Sequence, residues 1–348
     1  MSIRVLIADD SPSARDHLAQ LIGNSPDMQV VAFATNGFQT VHMTKGIQPD
    51  VILMDALIAH MDAIEAIREI MDVNPVPIVV ICAASNHWDC DIASEVVKAG
   101  ALTVSRKPNQ SDDAANHAIM KDLVNTVRAM SGVHVIRHPK SPGTHVAENG
   151  KPLTSVNSNA KPKPEIVSIV ASTGGPQTIG ELVKRLPSSF NLPIVIVQHI
   201  TPDFVPPLVN WLSSVSRLPV QVAGSGKYPD AGTIYFAPAN THLRLGSNHH
   251  FELSNTPANV PHIPSGDIFL QSVAKNYGSR AVGIVLTGMG NDGAQGLRAM
   301  YDAGAITVAQ NSESCVVFGM PHEAILLGAA NHTLNPAGIS KLLLEYAN

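Results

Sequence analysis

Short, nearly all-apolar runs alternate with helix-like stretches along this chain, and that pattern leaves few folds open. Upstream the runs are IRVLIAD, VILMD, PIVVICA and ALTVSRK, separated by SPSARDHLAQLI, DAIEAIREIM and DIASEVVKAG. Runs that stay apolar at successive positions predict strands buried on both faces, and strands alternating with helices predict a parallel sheet. Downstream, EIVSIVA, LPIVIVQH, TIYFAP, AVGIVLTG and AITVAQ repeat the pattern. Between the blocks, residues 131–164 contain no Phe, Trp or Tyr and are rich in Pro, Ser, Asn and Lys. Such a composition buries too little apolar surface to offset the entropy of ordering it. The expected organisation is α/β throughout: two doubly wound parallel-sheet domains over 1–130 and 165–348, joined by a flexible linker over 131–164.

With 348 residues, of which 45% are hydrophobic, the chain can build sizeable cores. Its charge is uneven. Residues 1–130 carry nine Lys and Arg against sixteen Asp and Glu, whereas 131–164 carry five against one. Neither domain is basic and aromatics make up only 4%, which argues against nucleic-acid binding. Three cysteines do not make a disulfide framework. No signal-peptide pattern opens the chain, and no apolar run reaches the roughly 18 residues of a membrane span. A soluble, cytoplasmic protein without direct membrane insertion is expected.

In open α/β sheets, function gathers past the carboxyl ends of the strands. In the first block Asp9 and Asp10 follow the first strand, Asp55 ends the third, and Lys107 ends the fifth. Three carboxylates in one cleft repel one another and call for a hard cation, most plausibly Mg²⁺, while a nearby lysine can pair with a phosphoryl group. Solvated loop acids are the plainer explanation for each residue singly; four at four appropriate strand ends argue against it.

At these positions residues 1–125 resemble a response-regulator receiver domain, a flavodoxin-like fold. The resemblance implies that Asp55 accepts a phosphoryl group, that Asp9, Asp10 and Asp55 hold Mg²⁺, and that Lys107 contacts the phosphate. Where that family usually has Thr or Ser to bond the phosphoryl oxygen, this chain has Cys82, a weaker donor. Where it usually has Tyr or Phe as a second switch element, this chain has Val104, which has no ring to swing inward.

In the second block, SIVASTGGP sets Ser172 just past an apolar run, followed by two glycines, a proline and the helix-like QTIGELVKRL. Three readings fit that stretch alone: an anion cradle at a helix N-terminus, a nucleophile on a tight strand-to-helix turn, or a capped connection without chemistry. A nucleophilic serine needs a base and an orienting group. LPIVIVQH ends in His199, with Thr201 and Pro202 opening a further helix. AVGIVLTG leads into MGNDGAQG, which carries Asp292 among Gly288, Gly290, Gly293 and Gly296. Each residue alone is weak, since a glycine-rich loop with Asp also suits phosphate or metal. Together they place Ser, His and Asp past the ends of candidate parallel strands. The order Ser–His–Asp is not that of the α/β-hydrolases, but triads recur on unrelated folds.

VASTGGP, IVIVQHI, TIYFAPANTHLRL, HIPSGD and VLTGMGNDGAQGL, over roughly 165–346, resemble the catalytic domain of the chemotaxis protein-glutamate methylesterases, the CheB family, which is Rossmann-like. A receiver, a linker and this domain is that family's layout. The resemblance implies hydrolysis of glutamate methyl esters on methyl-accepting chemoreceptors, often with deamidation of receptor glutamines, and a histidine kinase of the CheA type as phosphodonor. It makes Ser172 the nucleophile, His199 the general base, Asp292 the group that orients His199, the Met289 N–H an oxyanion donor, and Thr173 a substrate- or Ser172-positioning residue. It implies no cofactor for the esterase reaction. It further implies that the unphosphorylated receiver inhibits its neighbour. Within HIPSGD, Ile263 stands where the family often has Arg, and Gly266 where it has an aliphatic residue. The rival expectation is a catalytically weak adaptor that binds kinase and receptor without turnover.

Overall fold

The four apolar runs of the first block and a further stretch, MQVVAFA, form a parallel sheet: β1 (Ile3–Ala8), β2 (Met28–Ala34), β3 (Val51–Asp55), β4 (Ile78–Cys82) and β5 (Thr103–Arg106), in the order β2-β1-β3-β4-β5. Side chains alternate between the two faces, as strand geometry demands. Leu6, Ile52, Met54 and Val80 join one core, and Val5, Ile7, Leu53 and Ile81 join the other. Helices α1 (Pro12–Gly23), α2 (Gly37–Ile47), α3 (Ala63–Val73) and α4 (Ala114–Met130) cover the sheet. α1 starts as its sequence predicts, with Ser11 accepting from the Ala14 N–H at 3.4 Å and Pro12 in the first turn.

The computed structural model describes residues 2–59, 61–83, 92, 95–133, 135, 163–258 and 260–347. The helix expected over 91–100 lies partly, and the linker expected over 131–164 mostly, outside the described residues. Of the linker stretch, Val133 is buried against the first block's core.

The second block forms a seven-stranded parallel sheet from β6 (Ile166–Ala171), β7 (Ile194–Gln198), β8 (Val220–Val222), β9 (Ile234–Phe236), β12 (Ala281–Val285), β13 (Ile306–Gln310) and β14 (His332–Leu334). An antiparallel hairpin, β10 (His242–Leu245) with β11 (Phe251–Ser254), stands apart. Strand order is β14-β13-β12-β6-β7-β9-β8. The chain lays β7, β9 and β8 on one side of β6, then returns to lay β12, β13 and β14 on the other. The order thus reverses between β6 and β12, and a crevice opens at such a point past the carboxyl ends of the strands. The helices are α5 (Gly175–Val183), α6 (Val205–Val215), α7 (Gly266–Tyr277), α8 (Ala294–Asp302), α9 (Met320–Leu326) and α10 (Pro336–Ala347). α5 starts inside STGGP, two residues before the expected QTIGELVKRL. The helix expected from Thr201 begins as a 3₁₀ turn, Pro202–Phe204, before α6.

The two blocks touch at the crevice. Phe204, from the turn after β7, is 6% exposed and packs into the first block's core, with Ile200 beside it. Gln177 Nε2 donates to the Ala101 carbonyl at 2.8 Å. Arg106, the last residue of β5, pairs with Asp203, its Nε 3.0 Å from Oδ2.

Candidate active site

Ser172, His199 and Asp292 follow β6, β7 and β12, three strands that are neighbours at the reversal point. The β6–β7 ladder pairs Ala171 with Gln198, and the His199 N–H donates to the Ala171 carbonyl at 2.9 Å. Ser172 donates its N–H to the Thr287 carbonyl at 3.0 Å, which ties it to the strand that precedes the Asp292 loop. The two glycines have separate reasons. Gly174 caps α5 at φ +76°, a left-handed conformation costly for other residues. A Cβ on Gly175 would sit 2.2 Å from Gln198 Oε1.

His199 presents Nε2 to Asp292 Oδ2 at 2.8 Å, both side chains being 9% exposed. Its Nδ1 is buried with no hydrogen-bond partner among the described residues, so Nδ1 is the nitrogen left for other chemistry. Asp292 lies on the N-terminus of α7. Its Oδ1 accepts from Ser265 Oγ at 2.9 Å and the Asp267 N–H at 3.0 Å, and its Oδ2 accepts from the Gly266 N–H at 2.5 Å. Free N–H groups and the positive end of the helix dipole favour an anion there. Burial opposes ionisation of Asp292, but the hydrogen bond and charge of His199, with the Asp267 and Gly266 N–H groups, hold its carboxyl well below the usual carboxylate range. The His262 ring stacks on His199, centroids 4.3 Å apart and planes 14° off parallel. Burial, then the charge of His199, lowers the pKa of His262 from the ordinary imidazole value.

The HIPSGD segment therefore holds the carboxylate. Gly266 is suited to this: a Cβ there would meet Val170 Cγ1 at 2.4 Å, and its N–H is one of the Asp292 donors. Thr287, fully buried, donates to the Thr173 carbonyl at 2.9 Å, accepts from the Val317 N–H at 2.9 Å and gives its own N–H to Gln310 Oε1 at 2.8 Å. It locks the Ser172–Thr173 turn against the loop bearing Met289. A Cβ on Gly288 would lie 2.7 Å from Ser172 Cβ, so only glycine lets the two loops approach this closely. The adjacent Met289 N–H makes no hydrogen bond among the described residues, and its side chain is half exposed.

Ser172, Thr173 and His199 line one cavity of about 80 Å³. The second block supplies most of the remaining wall, Phe204 and Trp211 included, and the first block contributes Val97, Leu102, Thr103 and Val104. A hydroxyl, an imidazole with one uncommitted nitrogen, a buried carboxylate behind it and a spare main-chain N–H are the parts needed for acyl transfer.

The first block's acids behave differently. Asp9 is fully buried, Asp55 nearly so, and Lys107 bonds both, its Nζ 2.6 Å from Asp9 Oδ2. Asp9 Oδ1 accepts from the Ser11 N–H at 2.9 Å, and Asp55 Oδ1 from the Leu57 N–H at 2.7 Å. Burial, with the neighbouring Asp55 charge, raises Asp9 above the usual range despite Lys107. Burial opposes the charge on Lys107, but the two carboxylates hold its pKa above the ordinary value. Asp10, expected among the metal acids, is exposed. Among the described residues no three carboxylate, imidazole or thiol groups gather around one point; Lys107 bridges Asp9 and Asp55. The donors are all oxygen, which matches a hard cation. Cys82 ends β4 buried, its carbonyl accepting from the Lys107 N–H at 2.8 Å. Val104 faces the other block, on the cavity wall.

The structure thus brings together Ser172, Thr173 and His199 around the cavity, with Asp292 behind His199, and separately Asp9, Asp55, Lys107 and Cys82. Sequence reasoning missed Gln198, Ser265, Asp267 and Thr287. The hydrogen-bonding types in QH, PSGD and LTG were the available signal. Among the described residues no helix is long and apolar enough to cross a membrane.

A family model described as CheB methylesterase matches residues 167–343, and one described as response regulator receiver domain matches residues 5–119. The chain is 38% identical over 347 residues to protein-glutamate methylesterase/protein-glutamine glutaminase 1 of Syntrophus aciditrophicus (strain SB), covering 99% of this chain and 98% of that protein. It is 37% identical over 341 residues to protein-glutamate methylesterase/protein-glutamine glutaminase 3 of Hahella chejuensis (strain KCTC 2396), covering 98% and 97%. Among solved structures, the CheB methylesterase catalytic domain of Thermotoga maritima aligns with TM-score 0.50 and 37% identity, covering 52% of this chain and 98% of that one.

Proposed function

Because the chain belongs to the CheB methylesterase family and carries a receiver domain ahead of the esterase half, we propose that it is a phosphorylation-regulated hydrolase acting on glutamate methyl esters of methyl-accepting chemoreceptors, in the adaptation of a chemosensory two-component pathway. The glutaminase half of its relatives' names extends the reading to receptor glutamines. The observation that carries it is the His199–Asp292 pair seated on the N-terminus of α7, with His199 Nδ1 uncommitted and His199 lining the same cavity as Ser172.

In this reading His199 Nδ1 takes the Ser172 Oγ proton as Oγ attacks the ester carbonyl. The oxyanion meets the Met289 N–H, a kind of contact typically worth about 3–4 kcal/mol. The imidazolium returns its proton to the departing methoxide, which leaves as methanol. Water, losing a proton to His199, then attacks the acyl-enzyme, and the glutamate carboxylate and free Ser172 are released. Asp292 holds the ring's tautomer and balances its positive charge. An amide substrate follows the same steps with ammonia leaving, and protonation by His199 matters more there. Thr173 shapes the cavity beside Ser172.

The receiver would act as gate. Two residues of its β5 strand, Thr103 and Val104, line the cavity, and Phe204 is seated in its core, a placement that would hinder a receptor helix from reaching Ser172. Asp55 would accept a phosphoryl group from a histidine kinase of the CheA type, with Asp9, Asp10 and Asp55 holding Mg²⁺ and Lys107 moving to the phosphoryl oxygens. Mg²⁺ would supply neutralisation of charge on those oxygens. Such a partner set places the enzyme in the cytoplasm. The domain limits we propose are 1–130, 131–164 and 165–348. The test is methanol and ammonia release from methylated receptor membranes by the full chain, with and without Mg²⁺ and a small-molecule phosphodonor. Methanol release that depends on Ser172 and rises with phosphodonor is expected. No methanol, or release indifferent to Ser172→Ala, overturns the reading.

A further inference from the structure

Gln198 ends β7 and is 5% exposed. Its side chain gives both hydrogens of one carboxamide to the main chain on either side of the crevice: Nε2 donates to the Ser172 carbonyl at 2.8 Å and to the His199 carbonyl at 3.0 Å. We propose that Gln198 is a positioning residue that sets the spacing between Ser172 and His199; the proposal rests on reading those two as nucleophile and base.

Three observations carry it. The last main-chain bond of the β6–β7 ladder runs from the His199 N–H to the Ala171 carbonyl. Among the described residues no main-chain bond joins 172 to 199 directly, so the carboxamide extends the ladder by one rung where the strands part. The slot for it is built: Gly175 has no side chain where a Cβ would meet Gln198 Oε1 at 2.2 Å and Ala171 Cβ at 2.8 Å. The second glycine of STGGP is therefore room for glutamine. Finally, Oε1 is buried with no hydrogen-bond partner among the described residues. A buried acceptor without a partner is destabilising, and an apolar side chain of the same length would remove that penalty. What such a side chain could not supply is the pair of donated bonds.

Acyl transfer is sensitive to this spacing: a misplacement of about 1 Å can cost about 100-fold in rate. The test measures methanol release from methylated receptor membranes by the full chain, with Mg²⁺ and phosphodonor, beside Ser172→Ala. Gln198→Met should lower kcat about 30- to 100-fold with KM within about twofold. Gly175→Ala, which displaces the carboxamide without removing it, should give a loss of similar size, and the double variant should be no worse than about twofold below either single one. Gln198→Glu supplies a signature that general loosening does not. Its carboxylate faces two carbonyl oxygens at neutral pH, and protonation restores one donated bond, so the ratio of its kcat to that of Gln198→Met should rise as pH falls. A flat ratio, or Gln198→Met within about threefold of wild type while Ser172→Ala is inactive, overturns the positioning role alone. Activity in Ser172→Ala overturns the reading of the whole site.

Discussion

Two carboxylates of this chain, Asp292 and Asp9, occupy equivalent places: each lies past a parallel strand in the middle of its sheet, and each is buried. Their acidities move in opposite directions. Asp292 receives two main-chain N–H groups, a hydroxyl and an imidazole, and ionises more readily than usual. Asp9 has one main-chain N–H and a lysine shared with a second carboxylate, and ionises less readily. Burial is common to both; the difference is what points at the oxygens. Fixed dipoles make a carboxylate that stays charged through every turnover. A movable cation between two acids makes a site that a change of charge can rearrange, which suits a switch.

That contrast can be broken in order of expected effect. Ser172→Ala should lower methanol release by about 10⁴-fold or more, since triad members act as a unit, with no change in receiver phosphorylation. Asp292→Asn should lower kcat by about 10³- to 10⁴-fold and also change the acid limb of stability. A carboxyl with depressed folded pKa adds stability that is fully present above its unfolded value, about 3.9, and is lost as pH falls below it. The wild type should lose this increment in acid denaturation and Asp292→Asn should lack it. A chain starting near Lys161 should exceed the unphosphorylated full chain by about tenfold in basal rate. Arg106→Ala should raise the basal rate by up to about fivefold, because the pair with Asp203 is partly exposed and such pairs are typically worth about 0.2–1 kcal/mol. Cys82→Thr should increase activation by phosphodonor severalfold, a hydroxyl being the better donor to a phosphoryl oxygen, while Asp55→Asn should not respond. Equal activation of wild type and Cys82→Thr would show that the thiol is no handicap.

Much of this was legible. The long apolar runs gave the two sheets because strands buried on both faces have no polar alternation to confuse them. Their ends gave Ser172, His199, Asp55 and Lys107 because Asp55 is in the last ladder pair of its strand and the other three come directly after theirs. β2, β8, β10, β11 and β14 were not singled out: the last four have three or four residues each, too few to show a period, and β2 is buried at its two ends but only partly along its middle. The support around the site was hidden for another reason. Ser265, Gly266 and Asp267 act on Asp292 from 25 to 27 residues away, and two of the three act through main-chain N–H groups that every residue possesses. Asp9 and Asp10 are adjacent in sequence, yet Asp9 is buried and Asp10 exposed, a difference that the run of two acids does not encode. Val104 was read only for its missing ring; its place on the cavity wall depends on how two sheets meet, which no local pattern encodes.

Phe204 belongs to the esterase sheet but has its ring among the receiver's core side chains. Apolar burial of this kind carries almost no enthalpy near 25 °C and weakens as water cools. A lid held partly in this way responds to temperature as well as to phosphate. Cooling lowers the chemical rate in both the full and the shortened chain, but it also loosens the lid in the full chain alone. With the gate we propose, the gap between their basal rates should therefore narrow toward low temperature.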